Sequence, residues 1–357
     1  MRKRIPVGIV AALALLLLIL DSRTALQGAR EGLDLCFRSV VPSLFPFLVL
    51  TGMLTSSVSG LKLVFLRPLG RWMGIPQGAE GIFLTGILGG YPAGAQSVHQ
   101  AYKAGQLTKE DARRMMAFCN NAGPAFLFGI LGSHFEKTGI LWILWGIHIL
   151  SAVAVAVILP GNSSISRTVS PTRSMGLSAA LKQGVTTMGY ICGWVILFRV
   201  ILAFFDRWFL WLLPVDARVA IYGVLELANG CCALGMVTVP GLRFILCSGM
   251  LAFGGFCVAM QTSSVTGEMG TGFYLPGKLL HTVISLFLAC VAQDFLFTGN
   301  NRLAISPAYY LIAVFLVVGC WIFFRKIKKT VALAPLLVYN RPRYTGKGPN
   351  HAVPKEN

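Results

Sequence analysis

A chain of 357 residues that is 55% hydrophobic and only 12% charged, with a mean hydropathy of +0.70, is not a soluble globular enzyme, which carries about a quarter charged residues. It is expected to be an all-α polytopic membrane protein, because it divides into about eight to ten stretches near the roughly 20 apolar residues that a bilayer-spanning helix needs. The net charge is +18, and 10 of those units sit at the two ends: Arg2, Lys3 and Arg4, and the eight basic residues from Arg325 to Lys355 against Glu356. Basic residues flanking spans are retained on the cytoplasmic side, so both termini are expected there.

The apolar run Ile5 to Leu20 follows three basic residues, like the opening of a signal peptide, but no small-x-small cleavage site follows closely. An uncleaved first span within residues 1–24 is expected. The next candidate spans are Val40 to Leu54, Ile82 to Val98, Met115 to Leu131 and Gly139 to Leu159. After them come Met188 to Phe205, Val219 to Val239, Phe244 to Met260, Leu279 to Phe297 and Tyr309 to Phe324. The polar stretch at 160–175 reads as a linker between two halves, 25–159 and 176–300, followed by a last span within 301–324 and a basic tail at 325–357. The tail directly follows apolar residues, which suits a lipid-touching anchor rather than a nucleic-acid site. Leu61 to Trp72 mixes basic and apolar residues as an interfacial helix does. Thr108 with Asp111 three residues on reads as a capped helix start.

Several spans are poor helices. Gly90, Pro92 and Gly94 interrupt one, and Gly123 and Pro124, behind Asn120 and Asn121, interrupt the next. In the second half the weak points fall at Gly230 and at Gly254 and Gly255. Proline removes a backbone donor and glycine has low helix propensity, so these segments are expected to break near mid-membrane, as full spans or as re-entrant hairpins. The halves align faintly: Gly86 and Leu88 recur as Gly223 and Leu225, and Ala117-Phe118 as Ala252-Phe253. Paired interrupted spans in corresponding order point to an internally repeated secondary transporter with its site at the breaks. An odd number of crossings between the repeats would make them inverted.

Ionisable and polar groups near the breaks are the site candidates. Glu226 lies in an apolar segment, where it can hold a coupling cation, carry a proton or orient a substrate donor, or else pair with a buried cation such as Arg199. Asn120, Asn121, Asn229, Gln261, Thr262, Ser263 and Ser264 offer hydrogen bonds to a solute or caps to half-helices. Tyr91 suits an aromatic ligand or simple packing. Arg38 and Arg199 can neutralise a carboxylate, although Asp34 four residues before Arg38 favours a local ion pair. His148 suits a proton relay or helix packing. No metal-ligand spacing appears among the five histidines and nine cysteines, and the cysteines read as small buried apolar groups. There is no nucleotide loop and no nucleophile elbow, so no enzyme activity and no cofactor are expected. The coupling ion, sodium or a proton, stays open.

The run Gly90-Tyr91-Pro92-Ala93-Gly94-Ala95, the later Asn121, Pro124, Phe126, Phe128 and Gly129, and Phe253-Gly254-Gly255 with Gln261 resemble the sporulation integral membrane protein family over about residues 30–300. That family carries a nucleoside-recognition Gate domain and is similar to concentrative nucleoside transporters. The resemblance implies a bacterial multi-pass protein of the outer forespore membrane that moves dipicolinic acid during endospore formation. A nucleoside-type transporter and a non-transporting scaffold or gate subunit for envelope assembly are the alternatives. The partners implied are a small anionic or nucleoside-like solute, the lipid bilayer and further copies of the chain, with no nucleic acid.

Overall fold

The computed structural model describes residues 7–58, 63–135, 137–159, 161, 175–299 and 302–304, and every regular element among them is a helix. The expected last span, the basic tail, Arg2 to Arg4 and nearly all of the polar linker lie outside the described residues. In chain order the helices begin with α1 (Val7–Leu20), α2 (Ser22–Leu35), a π-helical turn (Cys36–Val40) and α3 (Val41–Val58). A short α4 (Arg67–Trp72) precedes α5 (Glu80–Gly89), α6 (Ala93–Lys103), α7 (Lys109–Cys119), α8 (Pro124–Ile130) and α9 (Thr138–Ile158). The second half holds α10 (Leu177–Trp208), α11 (Val215–Leu225), α12 (Leu227–Ala233), α13 (Pro240–Phe253), α14 (Gly255–Thr266) and α15 (Tyr274–Leu296). Local signals account for several ends. Thr108 caps α7 by accepting from the Asp111 N–H at 3.1 Å, as the spacing predicted, and Pro124 opens α8 at its first turn.

Among the described residues five segments are long and apolar enough to cross a membrane: Ser22–Leu54, Thr138–Ile158, Leu177–Trp208, Pro240–Thr266 and Tyr274–Leu296, with mean hydropathy between 1.6 and 2.3. Large apolar side chains such as Leu150, Leu197 and Leu279 face outward on three of them, as a lipid-facing surface requires and a water-facing one does not. The chain is an all-α multi-pass membrane protein.

Two units repeat the same order of parts. A long helix (α2–α3 or α10) leads to a pair of short helices (α5 and α6, or α11 and α12), then a broken helix (α7–α8 or α13–α14), then an unbroken one (α9 or α15). Of the two alternatives left open at Ile82 to Val98 and Val219 to Val239, the short pairs are re-entrant hairpins rather than broken full spans. A Cβ added to Gly230 would fall on the Cα of Gly223, yet residues seven apart in one continuous helix lie about 10 Å apart along its axis. Likewise, a Cβ on either Gly86 or Gly94 would fall on the same Cys119 carbonyl, so both limbs of the first hairpin straddle the end of α7. Gly94 and Gly230, expected at breaks, therefore lie inside α6 and α12. They are glycines because backbones meet there. The breaks themselves fall at Gly90 to Pro92 and at Glu226.

Contacts sort into two ends. At the end that carries the polar linker, Arg113 Nε donates to the Met269 carbonyl at 3.1 Å, and Arg114 donates to the carbonyls of Gly74 and Leu159 at 3.0 and 3.2 Å. At the opposite end, Arg243 donates to the His134 carbonyl at 3.0 Å and Arg207 pairs with Asp21 at 2.8 Å. The first unit starts, at Ser22, at the opposite end. The second starts, at Leu177, at the linker end. Each unit makes three passes around one hairpin that returns to its own side, so the units are inverted relative to one another.

Candidate functional site

Each hairpin tip lies against the gap in the broken helix that follows it. In the first unit, Gly90 (φ +74°) turns the chain at the tip, and a Cβ on Gly123 would stand 2.9 Å from the Gly90 nitrogen. The gap from Asn120 to Gly123 leaves backbone groups without helical partners, and buried side chains supply them. Asn120 is fully buried, accepts from the Ala95 N–H at 3.3 Å and donates to Thr262 Oγ1 at 2.9 Å, tying the gap to α6 and α14. Asn121 Nδ2 donates to the Phe118 carbonyl at 2.7 Å, and His148 Nε2 of α9 accepts from the Ala122 N–H at 3.0 Å.

In the second unit Glu226 is the whole tip. Its carboxylate accepts from the N–H groups of Ala228 and Asn229 at 3.1 and 2.6 Å and from Asn229 Nδ2 at 2.7 Å, capping α12. Negative charge is favoured at that helix end. Arg199 does not reach Glu226; it pairs with Glu31 and with Asp206, while Arg38 pairs with Asp34 in the exposed i to i+4 contact that the spacing favoured. Neither arginine is left to receive a carboxylate. The second gap is a single residue, Gly254 (φ +82°), whose N–H reaches the Met250 carbonyl at 2.8 Å in a left-handed helix end.

The two tips and the first gap meet at one small cavity of about 30 Å³, lined by Gly90, Tyr91, Gly123, Glu226, Gln261 and neighbouring apolar residues. That is room for roughly one water. Beside it lies a vestibule of about 700 Å³ toward the linker end, which shares Gln261 and Ile191 with the small cavity. Gln96, Gln183, Thr187, Tyr190 and Trp194 line it, and Lys182 is the only charged group among its lining residues. Gln261 is the one predicted polar candidate that faces both spaces. Asn120 and Asn121 sit behind the tip as framework, Asn229 is half-buried on Glu226, and Ser263 is exposed on α14, away from the cavity.

Two residues of the centre escaped the sequence reading. Lys278 of α15 is fully buried and donates to Tyr91 Oη at 3.1 Å and to Asn121 Oδ1 at 3.3 Å. Its ammonium stands 5.0 Å from the Tyr91 ring centre. His281 is also fully buried, stacks on His148 with ring centres 4.6 Å apart, and bonds the His148 carbonyl at 2.9 Å. Thr262, expected to bond a solute or cap a half-helix, is instead the partner of Asn120 across the two units. The available signal was a polar face: Lys278, His281 and Ser285 fall three and four residues apart on an otherwise apolar helix.

With that geometry in place, one curated relative is informative. The sporulation integral membrane protein YlbJ of Bacillus subtilis (strain 168) is 23% identical over 327 residues, covering 78% of this chain and 79% of that protein. No family model matches the chain, and no solved structure matches it.

Proposed function

We propose, on the motif resemblance and the 23% identity to YlbJ over 78% of the chain, that this is a member of the sporulation integral membrane protein family, and that it is a secondary transporter or facilitator that carries a small anionic solute between its two inverted units. The observation that carries the reading is the meeting of both hairpin tips and the first helix gap at one buried cavity, with a vestibule carrying amide and hydroxyl groups on one side of it. Irregular backbone at membrane depth is tolerated where it is buried in protein or lines a cavity, and inverted units can rock about such a centre to expose it alternately. The vestibule suits a flat, polar, anionic ring: amides and hydroxyls for its oxygens, Tyr190 and Trp194 for its face, and no carboxylate among the lining residues to repel it. Dipicolinate, moved across the outer forespore membrane, is the specific solute that the motif resemblance implies.

The test is uptake of radiolabelled dipicolinate, with uridine as a second solute, into vesicles holding the full-length protein. Saturable dipicolinate entry is expected, and Gln261→Leu should lower it roughly tenfold, the worth of one lost hydrogen bond to a charged group, with the melting temperature unchanged. Entry of uridine alone would replace the solute and keep the architecture. No entry of either, with folded protein, would overturn transport in favour of a scaffold or gate subunit.

A further inference from the structure

The hydrogen bonds around Lys278 run to the ends of two half-helices. Its ammonium donates to Tyr91 Oη, which donates in turn to the Leu251 carbonyl at 3.1 Å in the last turn of α13. It also donates to Asn121 Oδ1, whose Nδ2 donates to the Phe118 carbonyl at 2.7 Å in the last turn of α7. Gly277 lets α15 approach this closely, because a Cβ there would fall on Ala117 of α7. Both broken helices thus direct their negative ends toward one buried cation. A helix C-terminus carries about half an elementary charge, so two of them balance about one ammonium. No salt bridge joins Lys278 to a carboxylate among the described residues. The titratable groups around it are Tyr91 at the hairpin tip, Cys119 of α7, His148 of α9, and Tyr274 and His281 of α15, and none of them carries a negative charge near neutral pH.

In repeated transporters with broken helices, half-helix C-termini and unwound carbonyls are where a free coupling cation is held. We propose that here the Lys278 ammonium is that cation, built into the chain, so that the two gaps are held together without bound sodium. The structural half of this stands without any solute. Its functional consequence, solute uptake indifferent to sodium, rests on the transporter reading above.

The experiment is thermal unfolding of the full-length protein in detergent, in sodium chloride or choline chloride at equal ionic strength. The wild-type melting temperature is expected to be the same in both salts. Lys278→Met, which keeps all but the last atom of the chain's length and loses the charge, should melt roughly 5 °C lower, and n-propylammonium chloride, which replaces the atoms missing from Lys278→Ala, should restore part of the stability lost in that variant where choline does not. A wild-type protein stabilised by sodium over choline would show a free cation site and overturn the proposal, and this arm reads even if neither variant folds. Lys278→Met as stable as wild type would overturn it too. Because no arm contains dipicolinate or uridine, a failure of uptake leaves these readouts standing, and a failure here leaves uptake to be judged by itself.

Discussion

The two helix gaps occupy equivalent places in the inverted units and are held by different means. The first, Asn120 to Gly123, is pinned by side chains and backbone from four other elements: Ala95 of α6, His148 of α9, Thr262 of α14 and Lys278 of α15. The second is closed by one glycine and one local backbone bond, Gly254 N–H to the Met250 carbonyl, with one bond from outside, the Tyr91 hydroxyl to the Leu251 carbonyl. A gap pinned from four directions cannot open without breaking several buried hydrogen bonds. A gap with fewer partners can change its angle at lower cost, so the first unit is expected to act as the frame and Gly254 as the hinge.

The largest effect tests the frame itself. Gly94→Ala would drive a methyl group into the Cys119 carbonyl, backbone against backbone, and the first hairpin could not seat on α7. Loss of monodisperse protein in detergent chromatography is expected, beyond the roughly 4 kcal/mol that marks an exceptional single substitution. Asn120→Leu comes next. It strands the buried Ala95 N–H and Thr262 hydroxyl together, at about 1–3 kcal/mol for each unsatisfied group. Gly254→Ala should cost less, about 1–2 kcal/mol for a side chain in the left-handed region, with some relief needed from the Tyr91 hydroxyl at 3.0 Å. Chemical unfolding of the two variants side by side decides the comparison. If Gly254→Ala proved the more damaging, the assignment of frame and hinge would be reversed.

The second tip is tested by Glu226→Ala, which removes the cap of α12 and should cost about 0.5–2 kcal/mol. Glu226→Gln keeps an acceptor oxygen and should lose less. Equal losses in the two variants, measured by the same unfolding curves, would mean that the carboxylate charge itself, and not the acceptor geometry, holds the tip.

Much of this arrangement was legible before any coordinates, and the rest had physical reasons to be hidden. Glycine and proline announce where a helix cannot continue, so Gly90, Pro92, Gly123, Pro124 and Gly254 marked real interruptions. They do not announce the direction the chain takes afterwards. Hairpin and broken span share one local composition, and only the touching backbones of Gly223 and Gly230, distant along any straight helix, separate them. Glu226 was visible as a costly charge in an apolar segment, but its use as a cap depends on the turn that precedes α12. Lys278 stands just before the expected span Leu279 to Phe297, where a lysine ordinarily reaches the interface. It is buried because the first hairpin tip brings Tyr91, and the first gap brings Asn121, over it, contacts 187 and 157 residues away in sequence that no local pattern encodes.

The smallest expected effect separates a cation that is part of the centre from one that merely has a partner. Arg38 and Asp34 form an ion pair on one helix face with 79% and 57% of their side chains exposed. Water and salt screen such a pair, and holding two long side chains costs entropy, so Arg38→Ala should change unfolding stability by less than about 0.5 kcal/mol. Uptake should be unchanged as well, because Arg38 is not among the residues lining either the small cavity or the vestibule. A large loss on Arg38→Ala would place a functional cation on the outer face of the long helix and weaken the case that the charge at the centre resides in Lys278. A null result, beside a loss in Lys278→Met, would show that burial and hydrogen-bond connection to the gaps, rather than charge within a span, distinguish the residue that matters.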